Sequence, residues 1–588
     1  MKKLPWILLL IVALLGVLLF REEGPANNQQ KIDNLRADPY LNNVTGPIEQ
    51  LELLQLLKDD NSLASQETLK ELAQQVNATG YMANLILAEK LEENGEDPIE
   101  YYRKALKLYE SPETQLKLAR ALENRQEIDE AIKIYMAVIY DDEAINALQE
   151  LGVNYSTIIS RLIEDKQYSL AKEYIDKGIL EAKDDEIKSL NIQHSLLYAK
   201  TEEYHKAIPL MESIIDGGYH DSNFLWWYGR SLEGVGEKGR AIEVYKDLDK
   251  LGAYRLGLLY EEKGNVKEAA KAYINSNAHI SLWKGARILD DLSMEQEALQ
   301  VYRQLAKETG VYQEDAAYRG YILHKKYYQS TDEELTKILE KSPAWMTAIG
   351  KEFIWQIDKE MTAILPDFIN RVDLYEAAGE HKMADIERSI GEKHTSTEEK
   401  LGLSEWYQQQ GNYFMSVRWG IRALKEATSL KAYQLAYQKP YEEEVLAVAE
   451  KYHIDPYLIW AVMREESHYN KDAMSRAGAL GLMQIMPTTG QDIANRLKVN
   501  YSDTDMLIPE KNIEFGGFYI SLMLKMFDGD LDKALAAYNG GLGNVRKWSR
   551  TSIGGTPEGF PTSINFRETR KYITKVKNSY YTYLWIYQ

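Results

Sequence analysis

The 588-residue chain contains no cysteine. That absence excludes disulfides, thiolate metal sites, thiol nucleophiles and a lipidated N-terminal cysteine, while leaving the redox compartment open. Basic excess is also lacking: the formal charge is -20 and the pI near 5.1, so the chain has no electrostatic footprint for nucleic acid, and none is expected as a partner. The nine histidines form no H-E-x-x-H or other paired spacing. No metal and no cofactor are therefore expected. Phenylalanine is scarce, 10 residues against 41 tyrosines; the tyrosines would suit stacking on sugars, but amphipathic packing of helices with wet edges explains most of them. Period-two alternation bounded by turn residues is hard to find, which argues against a β-rich fold. With 45% hydrophobic residues, global disorder is excluded.

Long apolar runs are limited to one. Leu4 to Phe20 carries no charge and would be about 26 Å long as a helix, near the short end of a membrane span. Lys2 and Lys3 precede it and Arg21-Glu22-Glu23 follow, so the positive-inside rule puts the short tail in the cytoplasm and the body outside. A cleaved signal peptide is the competing reading, against which stand the length of the run and the poor cleavage site at Gly24-Pro25-Ala26. The expectation is a signal-anchor over 1–23, a linker over 24–47, and a body tethered to the cytoplasmic membrane on the periplasmic or cell-wall side.

The next stretch reads as helical hairpins. A small residue or Leu followed four positions later by an aromatic or Met recurs as Ala105/Tyr109, Ala131/Tyr135, Leu170/Tyr174, Ala207/Met211, Ala241/Tyr245, Ala269/Tyr273 and Ala298/Tyr302. A lone pair cannot bury its own apolar stripe, so neighbours must stack into a superhelix. Over 48–345, most clearly Tyr228 to Leu248 and Leu256 to Ser276, these repeats resemble tetratricopeptide-like solenoids. The resemblance implies a surface for a protein partner, unidentified, or a spacer that positions an enzyme. Residues 346–438 read as a helical connecting region, with Trp406 to Trp419 as a degenerate hairpin. Gly234-Val235-Gly236-Glu237-Lys238-Gly239 matches a dinucleotide pattern but follows a helix, so it is a repeat turn. Asp528, Asp530 and Asp532 begin like a calcium loop, yet Lys533 replaces the required Gly; helix capping accounts for them.

The charge changes from Tyr441 onward, where acids and bases nearly balance and almost the whole acidic excess lies upstream. Asp455-Pro456 starts a helix, and Leu458 to Met463 is apolar on every side, so the helix enters a core. Glu465 and Glu466 follow at once. Each continues an apolar stripe at +7, so periodicity does not choose between them. A carboxyl facing apolar groups binds its proton more tightly and can donate it to a leaving oxygen near neutral pH.

Glu466-Ser467 is followed by Ser475, Ala477-Gly478-Ala479, Gly481-Leu482-Met483-Gln484 and Met486-Pro487, then by Ala537-Tyr538-Asn539-Gly540-Gly541 and Glu568-Thr569-Arg570-Lys571-Tyr572-Ile573. This ordered set resembles the catalytic domain of family 1 lytic transglycosylases of the soluble lytic transglycosylase type, over about 439–588. The resemblance implies a goose-lysozyme-like, mainly helical domain, which completes an all-α chain. It implies Glu466 as the single catalytic acid and base, with Tyr572 beside the carboxyl or substrate. Ser475, Met483, Gln484, Tyr538 and Asn539 would line a groove for peptidoglycan glycan strands. Glu465 stands where the family often has Gln. The implied reaction is cleavage of the β-1,4 bond between N-acetylmuramic acid and N-acetylglucosamine without water, giving 1,6-anhydromuramoyl ends. Two alternatives stand beside it: a muramidase using Asp472 or Glu568 as a second carboxylate, and a wall-binding scaffold without turnover.

Overall fold

The computed structural model describes residues 46–588 apart from 182 and 183. The apolar run Leu4 to Phe20 and nearly all of the linker lie outside the described residues. Among the described residues no helix is long and apolar enough to cross a membrane. The secondary structure there is helical, with no strand beyond isolated antiparallel bridges at Met474/Leu480 and Leu480/Ile485.

The chain divides into two compact units. The first contains the described residues up to Gln167 together with Pro366–Thr395. Its helices run from Pro47–Asp59 to Tyr155–Glu164, joined by the hairpin Phe368–Ala377 and His381–Lys393. The buried Glu387 ties that hairpin in, accepting from the Ala78 amide at 2.8 Å and from Arg371 Nε at 2.6 Å. The region 346–438 is therefore not one connecting body, because its middle packs with the first repeats.

The second unit contains Tyr168–Leu365 and Ser396–Gln588. Here the repeat pattern acquires a physical basis. Ala241, Ala269 and Ala298 are fully buried with Tyr245, Tyr273 and Tyr302. Each tyrosine donates to an acid on the preceding helix: Tyr245 to Glu233 at 2.6 Å, Tyr273 to Glu261, and Tyr302 to Asp290 at 3.3 Å. A cation from the following hairpin closes each set, namely Arg255 on Glu233, Lys284 on Glu261 and Arg319 on Asp290. A phenylalanine would leave the carboxylate short of a donor, so these ladder positions call for tyrosine. Gly229 and Gly257 make room for it, since a Cβ there would meet the Tyr245 and Tyr273 rings at 2.7 and 2.6 Å.

Three local expectations are corrected. In the first hairpin Tyr102, not Tyr109, is the fully buried ring, and its hydroxyl reaches Glu92 at 2.8 Å; Tyr109 lies just past the helix end. In the third, Ala171 rather than Leu170 is the buried small residue beside Tyr174. Residues 351–366, expected to be helical, contain no helix. They form an extended strap whose Trp355 stacks on Trp585 at 4.4 Å and 10°, with the Asp358 amide on Thr428 O and the Ile364 amide on Glu398 O. The Trp406 to Trp419 stretch is a hairpin, Thr397–Gln409 and Tyr413–Glu426. Asp530 caps the helix after it by accepting from the Lys533 amide, and Gly236 takes the positive φ of the repeat turn.

The C-terminal domain is built from α1 (Glu442–Tyr452), α2 (Pro456–Ser467), α3 (Pro487–Leu497), α4 (Pro509–Met526), α5 (Leu531–Gly540), α6 (Leu542–Trp548), α7 (Phe560–Ser563) and α8 (Arg567–Tyr587). Asp455 caps α2 through the Tyr457 amide at 2.8 Å, and Pro456 opens the first turn. Leu458 to Met463 are all buried, so α2 is the central helix of one apolar core shared with α1, α4, α5 and α8. Partial exposure returns at its C-terminal end, at Glu465 and Glu466.

Candidate active site

Glu465 and Glu466 sit at that end, and their surroundings push them in opposite directions. Glu465 is held by two groups, Arg464 Nη1 and Ser579 Oγ from α8 at 2.6 Å. Burial on its own would raise its pKa, but the Arg464 guanidinium and the Ser579 hydroxyl outweigh it and hold the carboxyl below the usual glutamate range. Arg464 is itself fixed, donating to Ala436 O at 2.9 Å and lying 4.0 Å from the Tyr437 ring centroid. Glu465 is an anchored anion.

Glu466 has no such cation. Burial pushes its carboxyl up to about 7; the Tyr572 hydroxyl opposes this, and the charges of Glu465 and Glu568 add to the rise. At neutral pH the group is poised between its acid and its base forms. The distinction that periodicity left open thus comes from tertiary partners, since only Glu465 faces an arginine and a serine.

Tyr572, on α8, and Tyr538, on α5, stack face to face with centroids 6.4 Å apart and 7° between planes. Burial, followed by the neighbouring Glu466 carboxylate, keeps both hydroxyls far above the ordinary tyrosine range, so both remain protonated donors. Tyr538 Oη donates to Met483 O at 2.8 Å. Tyr572 Oη is buried with no partner at full hydrogen-bonding geometry; it lies near enough to Glu466 to lower its proton affinity but in a loose contact that a bound substrate could tighten. Asn539 accepts from Thr569 Oγ1 at 2.7 Å, joining α5 to α8.

The loop after α2 supplies the remaining expected residues. Gln484, at φ 49°, turns its amide inward to Gly481 O at 2.9 Å and Ala473 O at 3.2 Å. Ser475 Oγ accepts from the Ala479 amide at 2.9 Å. Gly481 is required at φ 74°, where a Cβ would come within 2.0 Å of Met506 O. Met483 departs from its expected place in the groove: its side chain is fully buried, packed where Gly516 leaves room. An unbranched apolar side chain next to a glycine gap goes to the core, and Met483 reaches the site only through its carbonyl. Of the two other carboxylates considered, Asp472 is exposed and paired with Lys471 at 2.9 Å, while Glu568 is exposed on the first turn of α8 and acts on Glu466 through its charge.

Sequence reasoning missed the groups that hold this arrangement. Asn512, fully buried on α4, accepts from the Met483 amide at 2.7 Å and donates to Leu480 O at 3.0 Å and Met506 O at 2.9 Å. Its signal was available as a lone amide amid Ile513, Phe515, Gly516 and Gly517. Ser467 ties the end of α2 to Leu482 O at 2.8 Å. Beyond Tyr519, whose ring packs 5.4 Å from that of Tyr538, a cavity of about 160 Å³ is lined by Thr488, Thr489, Asp492 and Arg496.

Residues 444–556 match the family model described as Transglycosylase SLT domain. The chain is 38% identical over 128 residues to the soluble lytic murein transglycosylase of Escherichia coli (strain K12), covering 21% of this chain and 20% of that protein. It is 32% identical over 165 residues to the membrane-bound lytic murein transglycosylase C of Edwardsiella ictaluri (strain 93-146), covering 24% of this chain and 46% of that protein. The matched stretch thus spans about a fifth to a half of these relatives. The fold as a whole is similar to the X-ray structure of an inactive glutamate-to-glutamine mutant of lytic transglycosylase Slt from Pseudomonas aeruginosa, with a TM-score of 0.61, 16% identity, and 95% and 94% of the two chains covered.

Proposed function

We propose that the C-terminal domain is a peptidoglycan lytic transglycosylase in which Glu466 acts first as acid and then as base. One observation carries the reading: of two adjacent glutamates, Glu465 is locked as an anion while burial lifts Glu466 to about 7. Protonated Glu466 gives its proton to the glycosidic oxygen as the bond to C1 of N-acetylmuramic acid breaks. The C6 hydroxyl of the same sugar then attacks C1, and the Glu466 carboxylate takes the hydroxyl proton. Water is not consumed, and the products are a 1,6-anhydromuramoyl end and a free N-acetylglucosamine end.

The surroundings support this role. Tyr572, protonated and otherwise unpartnered, can donate to the carboxylate or to substrate. The amides and hydroxyls of Gln484, Asn539 and Ser475 add no cation that would depress the acid. Their present hydrogen bonds run within the protein, so they shape the groove walls as well as offering their free valences to sugar. A muramidase needs a second carboxylate to activate water or form a glycosyl-enzyme; exposed Asp472 and Glu568 are weak supports for it.

The relatives are named, one as soluble and one as membrane-bound, as murein transglycosylases. The charge-flanked run Leu4 to Phe20 favours the tethered form for this chain, with the body facing the wall. The test is mass spectrometry of products from purified peptidoglycan, with Glu466→Gln as control. Anhydromuramoyl ends that vanish in the control support the reading; reducing ends would replace it with the muramidase, and unchanged binding without turnover with the scaffold.

A further inference from the structure

Helix α8 meets the site on one face and the helical repeats on the other. Arg570 and Tyr572 are two residues apart, about 200° around the helix, so they point in opposite directions. Arg570 enters a socket of repeat residues: its Nε lies 3.0 Å from Asp315 Oδ2, and its guanidinium lies 4.6 Å from the Trp283 ring centroid and 5.5 Å from that of Tyr312. Trp283 and Tyr312 stack on each other, and the charged pair is buried on both sides. Nη1 also holds Ile564 O at 2.6 Å. Two turns along, Asn578 Oδ1 accepts from Ser342 Oγ and the Ala344 amide, both at 2.8 Å. Arg287 donates to Ser563 O, and the Ile553 amide lies 3.4 Å from Asp291 Oδ1.

The same helix carries Thr569 on Asn539, Tyr572 beside Glu466, and Ser579 on Glu465. We propose that Asp315 of the repeats is a positioning residue for the reaction: by gripping Arg570 it sets the height and rotation of α8, and so the placement of Tyr572 against Glu466. The repeats are then part of the working enzyme rather than a spacer alone. This rests on the function proposed above for Glu466.

The test compares the full chain with Asp315→Asn on soluble, uncrosslinked glycan strands. The expected result is a kcat lower by on the order of 10- to 100-fold, since small displacements at a reacting centre are costly, with a much smaller change in KM, because Gln484 and Ser475 are held by the loop after α2 and only Asn539 is tied to α8. A second reading separates positioning from general weakening. The groups acting on Glu466 are Tyr572, Glu465 and Glu568; only Tyr572 lowers its proton affinity, so loosening that residue moves the alkaline limb of the rate profile to higher pH. The double variant Asp315→Asn with Arg570→Gln, which leaves neither buried charge alone, is read in the same way if the single variant fails to fold. A folded variant with wild-type kcat and an unmoved limb overturns the proposal. A wild-type chain that makes no anhydromuramoyl ends removes the reading of Glu466 first, and this inference with it.

Discussion

Replacing Glu466 by glutamine should make the folded protein more stable, and by an amount that depends on pH. The carboxyl rises from an ordinary 4.5 to about 7 on folding, so between those values the folded chain binds more protons than the unfolded one. Stability therefore falls as pH rises through that window. The loss is fully present above pH 7 and absent below about 4.5. Two and a half pH units at about 1.4 kcal/mol each give a ceiling of about 3.5 kcal/mol; with the side chain half-buried, solvent screening brings the expected value to about 2 to 3 kcal/mol. Glutamine, which never ionises, escapes this cost. For a cooperative unit of about 390 residues, the gain corresponds to a melting temperature higher by about 3 °C at pH 8, shrinking to nothing near pH 4.5. Differential scanning calorimetry of both proteins across pH 4.5 to 8 reads it. A difference that is constant with pH, or a variant less stable at pH 8, would refute the claim that burial disfavours the Glu466 anion.

Other perturbations separate the supporting groups. Tyr572→Phe removes the one group that lowers Glu466's proton affinity, so the alkaline limb of the rate profile should move upward and kcat should fall roughly 10- to 100-fold; steady-state kinetics against pH reads both. Arg464→Leu leaves Glu465 buried beside Ser579 without its cation and should cost about 3 to 5 kcal/mol in urea denaturation. Asn512→Ala strands the Met483 amide and two carbonyls, costing about 2 to 4 kcal/mol, and hydrogen exchange should rise across 479–486. Tyr245→Phe removes one rung of the repeat ladder and should cost only about 1 kcal/mol, because Arg255 still holds Glu233.

The all-α architecture was legible in the spacing of Ala241/Tyr245 and its fellows, since burial of a small residue one turn before a large one is a local property of helix pairs. Tyr109 stands four positions after Ala105 as the rule asks, yet the helix ends at Leu108, so the buried position falls instead to Tyr102, whose hydroxyl reaches Glu92. The strap at 351–366 could not be read, because what keeps it extended is stacking of Trp355 on Trp585, more than two hundred residues away. The motifs fall on the end of α2, the loop after it, α5 and α8, yet the contrast between Glu465 and Glu466 arises from Ser579 on α8 and from the reach of Arg464. Met483 shows the converse: its place in a motif suggested a groove, while the missing Cβ of Gly516 opened a core position for it.

The central claim is that a single carboxyl group and the substrate's own hydroxyl complete the reaction. Digestion of peptidoglycan in ¹⁸O-labelled water, followed by mass spectrometry of the new muramoyl ends, addresses it most directly. The account predicts ends lighter by one water, carrying no label, and absent with Glu466→Gln. Reducing muramoyl ends with one labelled oxygen would contradict it.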